Sequence, residues 1–279
     1  MQVEASGPRT ERLASVARTV IAVAHQRQVT LMAASLAYYL FSALLPLLLF
    51  SVIALSTLGN GSLASVMGAA SGTVLPSGVS IPNQFLANSN GRLRAGALGA
   101  VILVWSALRT FGAVDGAFAA VYDERESVSF AGKVVDAAVV FVAVALAVVA
   151  FAVVGVVLAN TVANRLLFRL VTPLFLLVAL VVVFAPLYYV LPEVEGVSLA
   201  EVLPGTLLAA TVWTASAVVV RLYATTSSSV HLYGVAGGVL LVLTWLYVGG
   251  LALLVGAALN AVLAGRVDPD AEWIPDTSL

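Results

Sequence analysis

The chain has 279 residues, of which 61% are hydrophobic and 10% charged, with a mean hydropathy of +1.07 and a net charge of −1. A soluble domain cannot bury so large an apolar share and keep a wettable surface, whereas a membrane protein can, because lipid covers its outside. The near-neutral charge supplies no basic field for nucleic acid, and the lack of cysteine excludes disulfides, thiolate zinc sites and iron–sulfur clusters.

In chain order, residues 12–28 come first. Leu13, Val16, Val20 and Val23 recur there at helical spacing among arginines. They predict an amphipathic helix lying in the membrane interface with those four side chains toward lipid, the alternative being a solvated tail. Segment 1–30 is thus read as a cytoplasmic tail and interfacial helix. The first long apolar run follows Arg9, Arg12, Arg18 and Arg27, so it is expected to remain as an anchor and not to be cleaved as a signal.

A membrane-spanning helix needs about 20 apolar residues. Six runs qualify: 31–58, 95–119, 137–159, 170–191, 203–220 and 234–263. They are longer than barrel strands and apolar almost all round, which argues against a β-barrel. The expected fold is an all-α integral membrane protein, a six-helix transmembrane bundle over 31–265, followed by an acidic cytoplasmic tail at 266–279. With the N-terminus inside, the inner segments hold seven basic residues and the outer ones five. That balance places both termini in the cytoplasm of a multi-pass cell-membrane protein.

The first run contains "LAYYLFSALLPLLLF". Successive helical residues turn by about 100°, so Ser35, Tyr38, Tyr39, Ser42 and Pro46 share one arc. A hydroxyl stripe at this depth faces other helices or a watery path. Pro46 lacks the N–H that would bond the Ser42 carbonyl, so a kink is expected there, with the Ser42 hydroxyl placed to help satisfy the freed backbone. Interior packing alone and a solvated, ligand-lined path both explain the stripe.

The second run contains "VWSALRTFGAVDGAF" and puts Arg109 near mid-bilayer, at a cost of about 2.5–3.5 kcal/mol. Asp115 is about 240° around the helix and about 9 Å along it, out of pairing reach. Compensation must come from a backbone carbonyl, a first-span hydroxyl, Asn260 or a bound anion. Arg109, Tyr38, Tyr39, Ser42 and Asn260 therefore form the candidate path for an anionic lipid or solute. Trp105, Gly112 and Gly116 lie on the face of Arg109, and the two glycines make a GxxxG surface for close helix packing. Gly234 and Gly238 make another at the start of the last run, continued by Trp245, Gly249, Ala252 and Gly256. His25 and His231 are too scattered for a metal site, and no acid cluster suggests catalysis. No cofactor, no nucleic-acid partner and no enzymatic activity are expected.

Three segments carry a specific resemblance. "AASLAYYLFSALLPLLLF", "VWSALRTFGAVDGAFAAVYDE" and the C-terminal half from "LYYVLPEVEGVSLAEVLPGTLLAATVW" through "VVRLYATTSSSVHLYGVAGGVLLVLTWLYVGGLALLVGAALN" are similar to the YihY/BrkB family of envelope integrity membrane proteins. The resemblance covers about 15–265. It implies six membrane helices, cytoplasmic termini and a role in envelope integrity with no settled molecular activity, transport and lipid translocation being the activities considered for the family. The family has also carried a ribonuclease label, which these residues do not support. One departure stands out: family members often place an acid between the Gly-Ala and the Asn of the last motif, and Ala258 occupies that position here.

Overall fold

The computed structural model describes residues 9–58, 89–122, 165–192, 194, 196–226 and 228–267. The third apolar run, 137–159, lies outside these residues, as does the acidic tail from 268 onward. Among the described residues all regular structure is helical: α1 (Arg9–Gln26), α2 (Val29–Leu58), α3 (Ser89–Tyr122), α4 (Arg165–Val190), α5 (Leu199–Thr226) and α6 (Ser228–Leu263). Four of them contain stretches long and apolar enough to cross a membrane: Ala97–Tyr122, Val171–Val190, Leu199–Tyr223 and Ala236–Leu263. α2 continues the pattern, apolar over Val29–Leu44. The chain is an all-α membrane protein.

Local chemistry explains where the helices start and stop. α1 ends where Gln28 adopts a left-handed φ of 52°, and α2 begins at the next residue. At the head of α5, Ser198 accepts the Glu201 N–H on its carbonyl at 3.0 Å and on its hydroxyl at 3.3 Å. That serine cap starts the helix four residues before the apolar run itself. α4 tolerates Pro173 and Pro186 within its length. α6 ends at Gly265, whose φ of 66° is costly for a residue with a Cβ. There the Arg266 N–H reaches the Ala261 carbonyl at 2.9 Å and the Gly265 N–H reaches Val262 at 3.1 Å, a Schellman closure.

Two compact units emerge. One comprises Met1–Ala33, Asp115–Ala215 and Gly249–Leu279; the other comprises Ala34–Val114 and Ser216–Val248. The first unit gathers α1, the start of α2, the end of α3, α4, the first half of α5 and the end of α6. Its interior holds Val23, Val29, Phe118, Val121, Tyr188, Val202, Thr206, Leu254 and Asn260, all nearly inaccessible.

α1 corrects one expectation. Val20 and Val23 were expected to face lipid, but both are buried in protein. Leu13 remains exposed. The helical stripe is present, and its C-terminal half is covered by protein.

Candidate functional site

In the first unit, α5 and α6 approach until backbone meets backbone. A Cβ on Gly205 would strike the Gly256 carbonyl oxygen and come within 2.6 Å of Asn260 Nδ2. A Cβ on Gly256 would stand 2.6 Å from the Gly205 oxygen and also collide with the Tyr188 hydroxyl. With no side chain at either position, Asn260 reaches across: its Oδ1 accepts the Gly205 N–H at 2.7 Å, and its Nδ2 donates to the Val202 carbonyl at 3.1 Å. Thr206 Oγ1 donates to the same carbonyl at 2.7 Å. Tyr188 of α4 donates its hydroxyl to the Leu253 carbonyl at 2.6 Å and meets Phe118 edge-on, with centroids 5.4 Å apart. α5 and α6 also carry buried alanines at 209, 210, 252, 257, 258 and 261. Such seams suit membranes, where packing and hydrogen bonds replace a hydrophobic driving force between helices.

The Schellman turn at Gly265 brings Arg266 back to the head of α5. Its Nε lies 2.5 Å from Glu201 Oε1 and its second guanidinium nitrogen donates to Oε2 at 3.2 Å. The hydrogen bond to the Glu201 carboxylate raises the Arg266 pKa above its ordinary value, against the opposing cost of burial. Gly249 adds a third close contact along the seam: a Cβ there would stand 2.8 Å from the Trp213 ring, which itself leans on Phe184 with centroids 5.3 Å apart.

The second unit carries the mid-membrane charge. Arg109 sits near the middle of the Ala97–Tyr122 span and is exposed. Its contact among the described residues is the Trp105 ring one turn earlier, with the guanidinium carbon 4.7 Å from the centroid. On α2, Tyr38 is 63% exposed, and its ring meets Tyr39 edge-on at 5.7 Å. Ser42 donates to its own i−4 carbonyl, that of Tyr38, at 2.8 Å.

With this geometry described, the comparisons bear on identity. Residues 20–276 match the family described as virulence factor BrkB. The chain belongs to the BrkB family. The ribonuclease-like protein YfkH of Bacillus subtilis (strain 168) is 28% identical over 255 residues, covering 84% of this chain and 89% of that protein. No solved structure matches.

The five residues read as an anion path divide between the units of this BrkB-family fold. Arg109, Tyr38, Tyr39 and Ser42 belong to the second unit, and Asn260 belongs to the first. Asn260 is fully buried and committed to the α5 backbone, so it is placed as a helix clamp. Tyr38, expected inward, points outward among the described residues, while Tyr39 and Ser42 are half-buried. The Ser42 hydroxyl serves the carbonyl of Tyr38, not the one freed by Pro46. Pro46 falls within the helical backbone of α2, and its side chain and any kink lie outside the described residues. Close packing at Gly112, Gly116 and Gly238 does not occur among the described residues: nothing stands within 4 Å of a Cβ at any of them. The surroundings of Gly234 fall outside that set. Among the described residues, the glycines that do pack closely are Gly205, Gly249 and Gly256. Ala258, where the family often has an acid, is wholly buried. Sequence reasoning missed Gly205 and the role of Tyr188. The available signal was an asparagine inside a long apolar run, which demands a polar partner at the same depth.

Proposed function

We propose that this BrkB-family protein is a non-enzymatic transporter or lipid-handling protein of the cell membrane, with both termini cytoplasmic and Arg109 as its contact for an anionic headgroup or solute. The observation behind this reading is the mid-span charge and its thin compensation. A cation–π contact is worth about 0.5–1 kcal/mol when exposed and about 2 when desolvated. Holding arginine at mid-bilayer costs about 2.5–3.5 kcal/mol. The Trp105 ring leaves a deficit that an anion would close, and a guanidinium can hold two phosphate oxygens at once.

The test is transport in proteoliposomes. Fluorescent phosphatidylglycerol and phosphatidylcholine report lipid movement by dithionite quenching, and entrapped anionic solutes report efflux. Arg109→Gln is expected to insert normally and lose about tenfold or more of the rate, since one charge-assisted contact of about 1.5–3 kcal/mol is removed. Arg109→Lys should recover only part, because the charge returns without the fork. A glutamine variant that inserts and keeps the full rate removes Arg109 from the mechanism. A second reading, a non-catalytic scaffold that organises partner proteins, draws on the closely packed α4–α5–α6 seam; wild-type protein that moves neither lipid nor solute would favour it.

A further inference from the structure

α1 carries a feature that neither the seam nor Arg109 uses. Along its last turns lies an open groove of about 440 Å³ lined by Arg18, Ile21, Ala22, His25 and Gln26. These residues fall on one face, since positions 18 and 25 differ by about 20° around a helix and the other three lie within about 80° of Arg18. The opposite face holds Val20 and Val23, which anchor α1 in protein. The groove face therefore points away from the fold. Its lining is mostly apolar, with Ile21 68% exposed, while Arg18, His25 and Gln26 bring a guanidinium, an imidazole and a carboxamide to the same face of the helix. α1 also leads, across the tight turn at Gln28, directly into the apolar helix α2, so a bilayer entered by α2 would meet the last turns of α1 near its headgroups. Its charge is basic, with Arg9, Arg12 and Arg18 against a single acid, Glu11, which stands two turns before Arg18 and outside the groove.

We infer that this groove is a binding site for an anionic phospholipid of the leaflet on which α1 lies. The phosphate pairs with the Arg18 guanidinium. The hydroxyls of a glycerol headgroup meet His25 and Gln26, both of which donate and accept. The first acyl carbons cover Ile21 and Ala22. The site is separate from Arg109 in sequence and in structural unit, so it stands whether or not Arg109 binds an anion.

Native mass spectrometry of the purified full chain in detergent, titrated with phosphatidylglycerol or phosphatidylcholine, tests the assignment. The measurement is made in the wild type and in an Arg109→Gln background, which isolates the groove from any anion held at mid-membrane. The expected result in both is about fivefold tighter binding of phosphatidylglycerol, the size of effect one basic residue has near an anionic headgroup. Arg18→Gln with His25→Gln should bring the two lipids within about twofold of each other. Arg12→Gln, on another face of the same helix, should leave the preference intact. Equal binding of both lipids by the wild type would overturn the inference. So would an Arg12→Gln effect as large as that of Arg18→Gln, which would mean diffuse attraction to a basic helix. Full displacement of the lipid by millimolar inorganic phosphate would show a site for free anions and would also refute it. Loss of the preference in the Arg109→Gln background alone would assign it to the mid-membrane charge instead.

Discussion

Replacing Asn260 by alanine should loosen the joint between α5 and α6 by about 2–3 kcal/mol. The figure has two parts. Two hydrogen bonds vanish, to the Gly205 N–H and from the amide to the Val202 carbonyl; interhelical polar contacts in membranes average about 0.6 kcal/mol and reach about 1.7. A cavity also opens at a fully buried position, adding on the order of 1 kcal/mol. The Val202 carbonyl keeps Thr206 as a donor, which limits the loss. Gly205→Ala attacks the same joint from the other side, because its methyl would meet the Gly256 carbonyl and Asn260 Nδ2; overpacking of this kind costs about 1–3 kcal/mol. Both variants can be followed by denaturant unfolding in mixed micelles with intrinsic tryptophan emission, Trp213 lying against Gly249 of α6. Because the two residues touch, the double variant should cost less than the sum by about 0.5 kcal/mol or more. An Asn260→Ala cost under about 0.5 kcal/mol, or strict additivity with Gly205→Ala, would refute the clamp.

Gly249→Ala should lower the thermal midpoint, since its Cβ would stand 2.8 Å from the Trp213 ring, whereas Gly238→Ala, with open space around it, should be neutral or raise stability by up to about 1 kcal/mol. Tyr188→Phe keeps the ring on Phe118 and removes only the hydroxyl bonded to the Leu253 carbonyl, so it should cost about 1 kcal/mol in the same unfolding assay. Glu201→Gln and Arg266→Gln should each cost about 0.5–1 kcal/mol, less at high salt, and the exchanged pair Glu201→Arg with Arg266→Glu should recover part of the loss.

The membrane helices were legible because bilayer thickness imposes a length of apolar sequence that can be read without knowing any contact. α3, α4, α5 and α6 each contain most or all of the expected run but begin four to six residues ahead of it. At α5 the reason is visible: Ser198 caps the helix and the charged Glu201 sits inside the first turn, where an apolar window sees only an interruption. The contacts were less legible. A GxxxG pair records spacing on one helix and carries no information about which neighbour arrives, so Gly112, Gly116 and Gly238 looked equivalent to Gly249 and Gly256. The Gly205–Gly256 approach joins positions on different helices, and the Tyr188–Leu253 bond closes a separation of 65 residues. Asn260 announced that it needed a partner, but its partners are a main-chain N–H and a main-chain carbonyl, and main chain is invisible to side-chain patterns. The same blindness affected α1, whose valines have the spacing for lipid and for protein alike.

The seam's principal bonds end on main-chain atoms: Asn260 grips residues 202 and 205 by carbonyl and N–H, and Tyr188 grips residue 253 by its carbonyl. Every amino acid except proline offers the same carbonyl and amide, so the grip does not depend on what hangs from the positions gripped. Only the two reaching side chains and the two bare glycines are spelled out letter by letter. Mutational drift should therefore be lopsided across this joint. A saturation library scored for membrane accumulation would be expected to accept many apolar letters at Val202 and Leu253, while rejecting nearly all at Gly205, Gly256 and Asn260.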